Sequence, residues 1–254
     1  MLQRLLPTLA AIVLLGGFPS GLQAQAVSPE LEAAVADPGR PERDRLRDAL
    51  RKPAETLAFA GVRPGMRAMD LMPGGGYFTR ILSAAVGEQG RVYAFQPHEV
   101  VSRFSDYRRA MDALDAEPHY ENVAFMFDPI ETFTVAEPLD LVFTALNYHD
   151  IHAEFMGPAD AAAVNRAIFA ALRPGGLYVV VDHHATAGSG LADVNRIHRI
   201  DAELVKQEVL AAGFILDAQS DLLAHPEDAR TRHVYEADMR GRTDQFAFRF
   251  RKPD

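Results

Sequence analysis

Two short stretches of this chain concentrate side chains that can do chemistry. Residues 147–152 read Asn147-Tyr148-His149-Asp150-Ile151-His152, and residues 182–184 read Asp182-His183-His184. An imidazole beside a carboxylate can take a proton from a hydroxyl or amine, because histidine titrates near neutral pH and the carboxylate orients it. We take His149 as the base, Asp150 as its orienting partner and Tyr148 as a third catalytic candidate. The same groups could instead coordinate Mg²⁺, Mn²⁺ or Zn²⁺, with Asp150, Asp182 and His183 as ligands. His-Asp-x-His is not a spacing specific to metals, and histidines at strand ends often satisfy local hydrogen bonds, so we expect no metal.

A third stretch, Asp70-Leu71-Met72-Pro73-Gly74-Gly75-Gly76, is suited to binding rather than reaction. Without Cβ, glycine brings backbone amides close to a ligand and adopts φ > 0. Three consecutive glycines between an apolar run and an amphipathic helix point to a ligand loop rather than a bare turn. A nicotinamide cofactor fits less well: Thr79 stands where the dinucleotide fingerprint needs its third small residue, and no acid ends the second apolar run.

These stretches need a frame to bring them together. Apolar runs at residues 67–72, 91–97, 123–130, 139–146 and 177–184 alternate with helical spacing at 77–87, 99–116, 159–176 and 193–214. Two further runs, 215–223 and 245–251, close the chain. Continuous β-branched runs between helices indicate an α/β sheet buried on both faces. The three chemical stretches then follow the first, fourth and fifth strands, at the carboxyl ends where such sheets bind ligands. In the last run Phe246, Phe248 and Phe250 alternate with Gln245, Ala247, Arg249 and Arg251, which suits a strand nearer an edge. No apolar helix separates it from the run before, so the two are expected to pair antiparallel.

Around this frame, residues 27–60 form a helical prelude broken at Pro53, and residues 61–254 form the main domain. His198 is placed to face the same cleft, while Asp201 caps the helix running through Leu204 and Val209. The loop 224–244 carries Arg230, Arg232, Arg240 and Arg242, either as a lid for an acidic acceptor or as charges that keep a long loop solvated.

The 254 residues are 48% hydrophobic and 24% charged, the composition of a globular protein with a sizeable core. A formal net charge of -9 argues against nonspecific nucleic-acid binding. The absence of cysteine excludes disulfides, thiol nucleophiles and thiolate metal sites. Residues 1–26 read as a cleaved signal peptide: Arg4 supplies the positive region, Leu5 to Phe18 the apolar one, and Ala24-Gln25-Ala26 the cleavage site. Pro7, Gly16, Gly17 and Pro19 interrupt a run already short for a membrane span. The expectation is a periplasmic or secreted protein with no membrane anchor after cleavage. Oligomeric state stays open.

Seven strands with a glycine loop after the first, and two closing strands after the last helix, resemble the class I S-adenosylmethionine-dependent methyltransferases over about residues 55–253. More narrowly, ADPGRPERDRLRDALRKPAE, DLMPGGGYFTR, NYHD, VVVDHHATAGSG and HRID resemble a bacterial group of predicted methyltransferases with signal peptides. The resemblance implies a Rossmann-like, seven-stranded, mostly parallel sheet with an antiparallel last strand. It also implies S-adenosylmethionine as cofactor and transfer of its methyl group to a small-molecule acceptor.

The family's first motif is an acid followed by Gly-x-Gly-x-Gly. Carried over, Asp70 is the acid, Met72 replaces the first glycine, Gly74 and Gly76 match the next two, and Gly75 fills the position between. Family members usually end the second strand in an acid that accepts from both ribose hydroxyls. Here Gln96 holds that place and lacks the charge that strengthens such bonds, which implies weakened affinity. Asp128 matches a residue that often contacts the adenine amino group, though an aspartate starting a turn before Pro129 is the alternative. Asn147 stands where some members begin an Asn-Pro-Pro-aromatic motif; both prolines are missing, so that amine mechanism is not carried over. Metal-dependent catechol-type members take ligands from the ends of the same two strands as NYHD and DHH. Met72, Gln96 and export from the cytosol also support a rival reading: a periplasmic ligand- or metal-binding protein that kept the fold without methyl transfer.

Overall fold

The computed structural model describes residues 26–157 and 159–254, so the expected signal peptide lies, but for Ala26, outside the described residues. Among the described residues no helix is long and apolar enough to cross a membrane. Four short helices come first: α1 (Pro29–Val35), α2 (Glu42–Arg45), α3 (Asp48–Arg51) and α4 (Pro53–Ala60). Ser28 caps α1, its hydroxyl accepting from the Leu31 amide at 3.3 Å. Lys52, at φ 42, turns the chain between α3 and α4, and Pro53 starts the new helix where its missing N–H costs nothing. Leu31, Ala34 and Leu57 are buried in the apolar layer on one face of the sheet.

The strands and remaining helices follow as β1 (Arg67–Leu71), α5 (Tyr77–Val86), β2 (Arg91–Phe95), α6 (His98–Arg103), α7 (Ser105–Asp115), β3 (Val123–Met126) and β4 (Leu139–Ala145). Then come α8 (Ala161–Ala171), β5 (Leu172–His183), α9 (Val194–Ile197), α10 (Ala202–Ala211), β6 (Ile215–Ser220) and β7 (Gln245–Arg251). They form one seven-stranded sheet of order β3-β2-β1-β4-β5-β7-β6. Pairing is parallel from β3 through β5, and β7 runs antiparallel to both its neighbours. In β1, Met69 and Leu71 face one apolar layer while Ala68 faces the other. In β4, Val142 faces the first layer and Leu141 and Phe143 the second. Burial on both faces is why these strands read as unbroken apolar runs. From β1 the chain winds outward to β2 and β3, then returns to β4 and winds the other way. The gap between the ends of β1 and β4 is therefore the switch point where doubly wound sheets bind ligands.

Several elements differ from the sequence expectation. β7 lies nearer an edge, as expected, but one strand in from it, between β5 and the edge strand β6. One of the two β7 arginines has partners on neighbouring elements: Arg249 Nε pairs with Asp217 on β6 at 2.7 Å, and its Nη1 donates to the Phe59 carbonyl at 2.7 Å. The helix expected over 159–176 stops at Ala171, because Pro174 has no N–H and the residue before a proline avoids helical ψ. β5 accordingly starts at Leu172. The helix expected over 193–214 is two helices, because the Ile200 amide donates to the His183 carbonyl at 3.0 Å and Ala185 to Ile200 at 2.9 Å. This bridge holds residues 198–201 out of helix, and Asp201 then caps α10, accepting from the Glu203 amide at 3.0 Å. The stretch 99–116 is likewise broken at Phe104, whose φ of -123 is extended.

Candidate functional site

The glycine loop leaves β1 and enters α5 at the switch point. Met72 (φ 59), Gly74 (φ 58) and Gly76 (φ 78) all adopt left-handed backbone. Met72 thus adopts a backbone conformation that glycine reaches more easily, and its side chain is buried in the core. Left-handed backbone costs a non-glycine residue about 1–2 kcal/mol, a cost that packing of the methionine offsets. Gly76 is required twice over: besides its φ, a Cβ there would lie 2.9 Å from Leu114. Gly75 differs, being exposed with no atom within 4 Å of where a Cβ would stand.

Side chains around the loop hold it in place. Gln96 Oε1 accepts from the Gly74 amide at 3.1 Å, and Asn147 Nδ2 donates to the Met72 carbonyl at 2.9 Å. Arg80 Nη1 donates to the Gly75 carbonyl at 2.8 Å while pairing with buried Asp44 at 3.0 Å. Asp70 lies beneath the loop and accepts from the Thr79 hydroxyl at 2.6 Å. Burial outweighs that hydrogen bond and the charge of Arg51, and pushes the Asp70 carboxyl up to about 6.

Two cavities flank the loop. The smaller, about 330 Å³, is lined by Met72, Gly74, Gln96 and Asn147 and by the apolar side chains of Val100 and Phe104. The larger, about 660 Å³, is lined by Gly75, Tyr77 and His183 and by four arginines, Arg43, Arg47, Arg51 and Arg240. Tyr235 borders both. Arg51 stacks over the rings of Tyr77 and Phe78, 4.4 and 4.7 Å from their centroids. Burial, reinforced by the charge of Arg47, lowers its guanidinium to about 10.

Beyond β4 and β5 a compact cluster forms. His149, on a single 3₁₀ turn (His149–His152), is buried, and its Nδ1 lies 2.9 Å from Asp182 Oδ1. Its backbone amide donates to Asp182 Oδ2 at 2.7 Å. The Nδ1 contact leaves Nε2 facing Asp150 Oδ1 at 3.2 Å and His198 Nδ1 at 3.3 Å. Burial pulls the His149 imidazole down, but the carboxylates of Asp182 and Asp150 prevail and push it up to about 9. Asp150 is raised to about 6 by burial, with Asp182 adding to it and His149 opposing. His198 is lowered to about 4 by burial and by the charges of His149 and His233.

Of the sequence candidates, the structure brings together His149, Asp150, Asn147, Gln96 and the glycines. Asp150 and Asn147 line the smaller cavity, whereas His149 is buried behind Asp150. Tyr148 is not brought to the cleft, which corrects the catalytic expectation. It is fully buried in the core, its hydroxyl donating to Glu208 at 2.8 Å and accepting from Asn165 at 2.8 Å. Asp128 is exposed and lines neither cavity; only its carbonyl is used, accepting from the His98 amide at 3.0 Å. Asp150, Asp182 and His183 do not converge as a ligand set. Asp182 is occupied by His149 and by the His183 amide at 2.7 Å, and His183 Nδ1 lies 2.8 Å from the Thr243 hydroxyl. The groups that converge are instead His149, Asp150 and His198. In the 224–244 loop, Arg230 pairs with Asp244 at 2.7 Å and Arg232 with Asp238 at 2.7 Å, while Arg240 lines the larger of the two cavities beside the glycine loop.

No protein-family model matches the chain, and no curated protein matches it. Solved structures share its fold. A SAM-dependent methyltransferase from Aquifex aeolicus superposes with a TM-score of 0.55 at 16% identity, covering 84% of this chain and 98% of the other. A putative sarcosine dimethylglycine methyltransferase from Galdieria sulphuraria gives 0.57 at 13% identity, covering 92% and 94%. The 4+2 cyclase SpnF gives 0.54 at 18% identity, covering 88% and 91%. The sheet order, with β7 inserted antiparallel, is thus that of the Rossmann-like class I methyltransferase fold. A cyclase among the neighbours shows that the fold alone does not fix the reaction.

Proposed function

We propose that this chain transfers a methyl group from S-adenosylmethionine to a small acceptor. The observation that carries the reading is the position of the glycine loop, at the β1–β4 switch point and between two cavities. Each cavity falls within the ~300–1,000 Å³ typical of small-molecule sites. The residues present fit a cofactor with a flat aromatic base at one end and an amino acid at the other. Val100 and Phe104 offer apolar surface for the base, and Gln96 and Asn147 offer amides beside it. Exposed Gly75 lets the chain of the cofactor pass close to the backbone, and Arg51 stands in the larger cavity for a carboxylate. When bound, the cofactor supplies an activated methyl group.

Acceptor binding is assigned to Asp150 and His198, the polar groups of the His149 cluster that reach the smaller cavity. His149 is a positioning residue: fixed by Asp182, it holds both from behind. Export through residues 1–26 remains part of this reading, and fractionation with N-terminal sequencing tests it. Calorimetry with S-adenosylmethionine and with S-adenosylhomocysteine tests the function. Binding of both, the product more tightly, is expected; no heat from either at millimolar concentration would sink the proposal.

A further inference from the structure

We propose that His149 Nε2, His198 Nδ1 and a carboxylate oxygen of Asp150 form a binding site for one divalent transition-metal ion of the Zn²⁺ class. The three atoms are separated by 3.2, 3.3 and 4.0 Å. A Zn–N bond of about 2.0–2.1 Å puts neighbouring ligand atoms of a tetrahedron about 3.3–3.4 Å apart. Two edges of the triangle are already at that spacing, and the third closes with a small movement of the partly exposed His198.

Three further features suit a metal. First, Asp182 engages Nδ1 of His149, which turns Nε2 toward the other two ligands. A carboxylate behind a ligating imidazole is the arrangement that fixes the ring and raises its basicity as a ligand. Second, His198 stands at φ 54, a left-handed conformation uncommon outside glycine, though histidine enters it more readily than most residues. Its ring lies 5.4 Å from that of His149, and the rings of His233 and Tyr235 are each 5.0 Å from it. Third, among the described residues the ion pairs of Asp150 and Asp182 are all with imidazoles, so two carboxylates stand without a lysine or arginine. A divalent cation would balance them.

Asp150 and His198 also line the smaller cavity, so the fourth position of such a site faces a ligand. Three protein ligands with one open side is the pattern of reactive rather than structural zinc. Two imidazoles and one carboxylate disfavour Mg²⁺, which demands oxygen ligands. The inference stands independently of methyl transfer, and its test uses no cofactor.

The full chain, stripped with a chelator and dialysed, is titrated calorimetrically with Zn²⁺ and separately with Mg²⁺. One Zn²⁺ per chain at micromolar affinity or better is expected, with no Mg²⁺ binding at the same concentrations. His198→Asn removes the imidazole while keeping a residue that tolerates left-handed backbone. It should weaken Zn²⁺ by at least about 100-fold, since even partners behind the ligands account for 10–100-fold. Asp150→Asn is the second variant, with circular dichroism confirming that each folds, and should weaken it comparably. Absence of Zn²⁺ binding overturns the proposal, as does affinity unchanged in either folded variant, which would mark an adventitious ion on other histidines. Mg²⁺ binding as tight as Zn²⁺ overturns it too.

Discussion

The side-chain carbonyl of Gln96 accepts a hydrogen bond from the backbone amide of Gly74 at 3.1 Å. The residue at the end of β2 and the turn at the end of β1 are therefore one unit, closed by a neutral amide. A carboxylate in that place would accept the same N–H and have a charge left for a hydroxyl pair. Gln96, only 2% exposed, offers less to a ligand and costs less to bury.

Gln96→Glu should consequently bind S-adenosylhomocysteine roughly 3- to 10-fold more tightly, as charge-assisted bonds replace neutral ones. It should also melt at a lower temperature without ligand, because a buried carboxylate is desolvated. Gln96→Ala should lose about 1–3 kcal/mol of stability by leaving the Gly74 amide without its partner. Calorimetry and melts with and without ligand separate these effects. Weaker binding by the glutamate variant would show that the cofactor does not reach the end of β2.

Asp70 sets a pH dependence of stability. Its carboxyl is raised from 3.8 to about 6 in the folded protein. Between those values the folded chain keeps a proton that the unfolded chain releases, so stability falls as pH rises through this window and stays lower above it. A shift of about two units corresponds to roughly 3 kcal/mol. Asp70→Asn, which can still accept from Thr79, removes the titration. Urea unfolding of both proteins between pH 4 and 7 should show the variant gaining on the wild type as pH rises. A constant difference would mean that Asp70 ionises as easily folded as unfolded.

The contrast between Asp70 and Met72 shows what the chain makes legible. Asp70 matches the family motif by position, yet its carboxylate is turned beneath the loop to Thr79, which position alone does not reveal. Met72 departs from the motif, yet at φ 59 it adopts the left-handed backbone that glycine favours. The strands were readable because β1 and β4 are buried on both faces and carry unbroken apolar runs. The break at His198 was not, because it depends on the bridge between Ile200 and residues 183–185, a contact between segments that local spacing cannot encode. In the site, the clustering of imidazoles and carboxylates beyond β4 and β5 followed from their places after adjacent strands. Which of them faces inward depends on the tight turn after Asn147, where neighbours point in opposite directions: Tyr148 into the core, Asp150 into the cavity.

Tyr148→Phe tests that division. The hydroxyl joins Glu208 and Asn165 in the core, so its removal should destabilise the protein by about 1–3 kcal/mol. Cofactor affinity and the rate of methyl transfer at saturating substrate should stay within about twofold of wild type at a temperature where both are folded. A large loss of rate with an unchanged melting temperature would restore Tyr148 to the reaction.

Arg51 offers the sharpest test of how the cofactor lies. Among the described residues no carboxylate forms an ion pair with it, and its charge rests on the faces of Tyr77 and Phe78 inside the larger cavity. A mostly buried cation without a counter-charge is destabilising unless a ligand provides one. S-adenosylhomocysteine carries a carboxylate at its amino-acid end, whereas 5′-methylthioadenosine has the same nucleoside without it. Arg51→Met keeps the length and apolar stem but removes the charge. It should weaken the first ligand by about 10- to 100-fold, the effect of one charged hydrogen bond of roughly 1.5–3 kcal/mol. The second ligand should bind within about twofold of wild type, and the unliganded protein should be as stable or more so. Equal weakening of both would mean that the variant disturbs the glycine loop itself. Unchanged binding of both would place the carboxylate elsewhere and leave the arginines of this cavity to the acceptor.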